Sequence, residues 1–120
     1  MTEDLITLGT AKLLREKGYN EYSVLVMGDN GKEAVVAFRT NSDLPEGVYS
    51  RPTQSFARKW LRETKNLHVE VSYMYGDYWI YDILTIPNHD LVGLSDRSLV
   101  HYKSYEEALE AGIQEVLKLI

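Results

Sequence analysis

The chain contains no cysteine, which excludes a disulfide framework, a thiolate zinc site and a cysteine nucleophile. It also lacks any stretch approaching the ~20 consecutive apolar residues of a membrane span. The opening of a secretory signal is missing as well: acids stand at positions 3 and 4, and the first base is Lys12. No glycine-rich phosphate loop follows a strand-like run, and no G-x-S-x-G nucleophile elbow occurs. Positive charge is short overall, with a formal net charge of −5, so the chain is not basic throughout in the manner of most nucleic-acid-binding domains. From these absences the expectation is a cytoplasmic protein with no cofactor, no resident metal and no membrane partner.

What remains is an ordinary globular composition, 44% hydrophobic and 26% charged over 120 residues, enough for one domain spanning residues 1–120. Residues 4–17 read as a helix with Leu5, Leu8 and Ala11 inward, stopped by Gly18. "YSVLVMGDNGKEAVVAFR" reads as two strands about Asn30-Gly31, a turn pair that favours positive φ. "TNSDLPEGVYS" reads as a loop by its Pro, Gly, Asn and Asp content. A helix follows from Pro52, with Thr53 as the competing N-cap. A second hairpin runs from Leu67 to Ile86 around Gly76-Asp77, and residues 99–103 suit a short extra strand. Ser104 with Glu107 three residues on forms a capping box for a final amphipathic helix. Gly112 falls on the apolar face of that helix, where it permits close approach. The expected fold class is α+β, with three helices and one antiparallel sheet of four or five strands from two hairpins. Its order is α-β-β-α-β-β-(β)-α.

Charge is unevenly distributed. "RPTQSFARKWLRETK" (51–65) holds five bases and one acid, so it is +4 while the rest of the chain is −9. At 100° per residue, Ala57, Trp60 and Thr64 share one face with Phe56 and Leu61 beside them. Arg58, Arg62 and Lys65 lie opposite, with Arg51 near the same line. Such a stripe suits a phosphate backbone or another anion. It is equally the polar side that any amphipathic helix requires.

"YMYGDYWIYD" (73–82) gathers Tyr75, Tyr78, Trp79 and Tyr81 around the second turn. Aromatic side chains of this kind anchor interfaces and also pack well across strands. The turn decides between the two. A two-residue loop pairs Tyr75 with Tyr78 and exposes the aromatic face. A three-residue loop pairs Tyr75 with Trp79 and places Val69, Val71, Tyr73, Trp79, Tyr81 and Ile83 together. In the 88–101 loop, His89, Asp90, Asp96 and His101 match no metal-ligand spacing, and Ser95 or Ser98 has no triad geometry to recommend it.

The strings T-A-K-L-x-x-E-K-G-Y (10–19), P-T-Q-S-x-A-x-K-W-L-R-E (52–63), L-H-V-E-V (67–71) and S-Y-E-E-A-L-E-A-G-I-x-E-V-L-K-L-I (104–120) resemble a family of small proteins from gut Bacteroidales bacteria and their phages or prophages. The resemblance implies a bacterial or phage-borne setting and carries no activity or functional residue with it.

Together these readings favour a non-enzymatic binding module, an accessory protein with a protein partner or a second copy of itself. Its partner surface would be Trp79, Tyr81, Tyr75 and Tyr78, or a face of the 52–65 helix. The alternative is nucleic-acid binding through Arg51, Arg58, Arg62 and Lys65. A third reading is a small metal-dependent or hydrolytic enzyme built on the 88–101 loop.

Overall fold

A computed structural model describes residues 4–92 and 100–120. Its class is α+β: the described residues form three α-helices and five strands, the strands divided between two antiparallel sheets. Helix α1 spans Leu8–Glu16 and starts later than the expected residue 4. The Thr7 side chain caps it by accepting from the Thr10 amide, one of the orphan donors of a first turn. The preceding residues are extended instead, because their backbone is paired elsewhere. The Ile6 amide donates to the Pro52 carbonyl at 3.1 Å, and the Gln54 amide donates to the Asp4 carbonyl at 2.9 Å.

Strands β1 (Ser23–Gly28) and β2 (Glu33–Arg39) form the first hairpin. Its loop has three residues, not the two implied by an Asn30-Gly31 turn. The Gly28 amide meets the Lys32 carbonyl at 3.0 Å, and Gly31 alone in this loop takes positive φ, +80°. This is a type I turn closed by a left-handed glycine. The expected loop 40–50 contains a 3-10 turn, Asn41–Asp43, and a short strand, β3 (Val48–Ser50). Buried Asn41 holds that segment in place, donating to the Tyr19 carbonyl at 2.7 Å and accepting from the Ser50 amide at 2.9 Å.

The unforeseen β3 takes the second edge of β1, giving the order β2-β1-β3. The second hairpin, β4 (Leu67–Met74) and β5 (Tyr78–Thr85), forms a separate two-stranded sheet, to which Leu91 and Tyr102 add isolated bridges on β5. A single four- or five-stranded sheet is therefore incorrect, although the expected elements occur in the expected order. The β4–β5 register joins Val69 to Ile83, Val71 to Tyr81 and Tyr73 to Trp79. The facial grouping is that of the three-residue loop, but the loop is 75–77 and Tyr75 pairs with no strand residue. At residues 99–103, Tyr102 makes an isolated bridge to Trp79, while Leu99 lies outside the described residues.

Helix α2 (Gln54–Lys65) begins from the Thr53 cap and ends at Asn66, whose φ of +56° is left-handed. Helix α3 (Tyr105–Leu119) packs on β4 and β5 and touches α1 and α2. Ser104 accepts from the Glu107 amide, and Glu107 reaches back to the Lys103 amide at 3.2 Å, a capping box displaced by one residue. The core lies between these helices and the two-stranded sheet, with Leu14, Trp60, Leu61, Val69, Ile83 and Ile113 among its members. Glu110 ties the three helices together, accepting from the Thr7 amide, the Thr10 hydroxyl and the Gln54 side-chain amide.

Candidate functional site

The four candidate cations Arg51, Arg58, Arg62 and Lys65 do not share one environment. Arg51, which precedes α2, turns back toward the first sheet. Its Nε donates to the Ile6 carbonyl at 2.8 Å, and its guanidinium pairs with Glu33. Arg58 is half-buried and donates to the Tyr105 hydroxyl at 3.1 Å. Lys65 sits 5.6 Å from the Trp60 ring centroid, a cation–π distance. Arg62 edges a pocket of about 240 Å3 shared with His68, Leu84, Pro87 and His89. Three of the four therefore already have protein partners.

The aromatic hairpin is similarly dispersed. Tyr81 is buried in the core, against the place where a Gly112 side chain would sit. Trp79 is half-buried, 4.9 Å from the Tyr73 ring and edge-on to Tyr105 at 5.6 Å. Its backbone amide and carbonyl both pair with Tyr102 at 2.9 Å. Tyr78 stacks on His101 with ring centroids 3.6 Å apart. Tyr75 alone of these four is fully exposed. In the 88–101 loop, His89 is exposed with φ of +63°, while Ser95, Asp96 and Ser98 lie outside the described residues. Among the described residues, no three metal-ligating side chains converge.

A different surface is more open. Tyr22, Val24, Val35, Phe38 and Phe56 are all exposed, Val35 to 77% and Phe38 to 69%. Tyr22 immediately precedes β1, Val24, Val35 and Phe38 belong to the hairpin β1–β2, and Phe56 to the first turn of α2. A predominantly apolar groove of about 220 Å3 runs there, lined by Leu5, Tyr22, Val24, Leu25, Pro52 and Phe56. Phe56, expected beside the buried face of its helix, instead forms the groove's rim. β2 bounds the sheet, and it is unusual in two respects. Every residue from Ala34 to Phe38 is exposed except half-buried Val36, so neither face of the strand is covered. Phe38 also adopts φ of +33°, which costs a bulky side chain energy. It falls where the register shifts from Leu25↔Val35 to Ser23↔Arg39.

This surface was readable in principle. "EAVVAFR" has no polar residue between its terminal charges, whereas a strand wet on one face alternates. That missing alternation implies burial on both faces, whereas among the described residues β2 is covered only in part, at Val36.

Among the described residues, no helix is long and apolar enough to cross a membrane. Comparison with protein-family models, curated proteins and solved structures gives no significant match.

Proposed function

We propose that this chain is a non-enzymatic protein-binding module. It docks a polypeptide at the open end of its three-stranded sheet, along β2 and the groove between β1 and α2. The observation supporting this reading is β2 itself, an edge strand carrying exposed apolar side chains on both faces. Natural edges are usually blunted by charge, proline or cover, and β2 has charge only at its ends. An exposed edge binds by strand addition, with backbone hydrogen bonds giving affinity and flanking pockets giving specificity. The groove rimmed by Tyr22 and Phe56 would be such a pocket. Nucleic-acid binding is less well supported, because Arg51, Arg58 and Lys65 are engaged within the protein. The bacterial or phage-borne setting and cytoplasmic residence belong to the same proposal.

Selection of a displayed random-peptide library on the purified chain tests it. Recovered peptides should carry apolar side chains and bind almost equally at about 50 and 200 mM salt, unlike a phosphate contact. Binding should be lost in the double variant Tyr22→Ser/Phe56→Ser. Recovery of no peptide, together with oligonucleotide binding that weakens steeply with salt, would contradict the proposal.

A further inference from the structure

We infer that the polypeptide occupying β2 is β2 of a second copy of this chain, paired antiparallel across a two-fold axis. The inference rests on the docking reading above and names its occupant.

Three observations support it. The first is the direction of the free backbone groups. Gly28 and Lys32 form a hydrogen-bonded pair, and such pairs alternate along an antiparallel ladder. Lys32 and Ala34 therefore face β1, while Glu33 and Val35, before the register shift, turn their N–H and C=O groups outward. The second is charge. The strand reads E-A-V-V-A-F-R, acid at one end and base at the other. Antiparallel self-pairing centred on Val36 brings Glu33 opposite Arg39 at both ends of the ladder. A parallel copy would set acid beside acid and base beside base. The third is side-chain size. In that register Val36 meets its own copy, Ala34 meets Phe38 and Val35 meets Ala37, so each large apolar side chain but the central valine faces a small one.

Arg39 lies beyond the bulge at Phe38, and its long side chain spans the offset. Glu33 already meets Arg51, and a carboxylate accepts from two guanidinium groups. Two-fold pairing also closes the contact, since the same edge is used by both copies. It leaves the shorter β3 as the sheet's outer strand.

Sedimentation equilibrium of the purified full chain tests the inference, with circular dichroism confirming that each variant is folded. The native chain should show a concentration-dependent dimer. Arg39→Glu and Glu33→Arg should each weaken it by about tenfold or more, because symmetry counts each like-charge contact twice. An equimolar mixture of these two single variants should dimerise again, since every changed charge then meets its opposite. Val36→Lys, which sets like charges face to face on the axis, should abolish the dimer. A native chain that stays monomeric at several hundred micromolar would overturn the inference. So would variants that dimerise like the native chain, or a mixture that does not recombine. Peptide binding by a persistently monomeric native chain would leave the docking reading intact and remove only the second copy. Loss of both would remove both.

Discussion

Trp60→Ala should destabilise the protein by ~3–5 kcal/mol, the range for removing a large aromatic side chain from a packed core. The indole is 7% exposed and meets the Tyr19 ring edge-on at 5.2 Å. Tyr19 is itself buried and leads the chain from α1 toward β1, so this aromatic pair joins the first and second helices. The truncation leaves a cavity between elements that cannot collapse independently. Urea titration should show a lower midpoint with an unchanged slope, the signature of lost stability without a change in the unfolded state. Trp60→Phe should recover most of the loss. A Trp60→Ala midpoint within error of the native one would mean that α2 does not present this face to the core.

Gly112→Val should destabilise by about 3 kcal/mol, at the upper end of the usual cost of overpacking. A Cβ built at Gly112 would lie 2.5 Å from Val69 Cγ1 and 3.1 Å from the Tyr81 ring. Neither neighbour can retreat freely, because both belong to the β4–β5 sheet over which α3 lies. A glycine inside a helix is itself unfavourable by ~1 kcal/mol relative to alanine, so its presence reflects the contact. The contact also makes a coupling prediction. Val69→Ala vacates the clashing methyl, so the double variant Gly112→Val/Val69→Ala should be less destabilised than the sum of the two single ones. Purely additive losses would show that the helix clears the sheet at this point.

Much of this architecture was legible because local chemistry and tertiary packing agree. The Thr53 cap, the Ser104–Glu107 box, the Gly112 approach and the grouping of Val69, Val71 and Tyr73 with Ile83, Tyr81 and Trp79 all follow from spacing and residue type. Elsewhere the two disagree. Residues 4–7 have helical periodicity but pair with 52–54, a contact distant in sequence. β3 is only three residues long and sits behind Pro45 and Gly47, so its loop composition conceals a strand. β3 joins the first hairpin's sheet while β4 and β5 form their own, a division set by tertiary packing and not by local pattern. The cationic face of α2 is two-sided by periodicity. Nothing local reveals that Arg51 turns back to Ile6 and Glu33, or that Arg58 reaches Tyr105. The exposure of β2, on which the proposed docking rests, was not legible for a related reason. An apolar strand normally implies cover, and its exposure depends on what fails to pack against it.

The most direct test of the docking surface is site-specific photocrosslinking. A benzophenone amino acid is placed singly at Val35, at Tyr75 and at Arg62, one on each of the three competing surfaces, in the chain expressed in bacterial cells and then purified. Polypeptide adducts from position 35 and none from 75 or 62 are expected, with the adduct unchanged by nuclease. Adducts confined to position 75, or nucleic acid captured from position 62 with nothing from position 35, would contradict it.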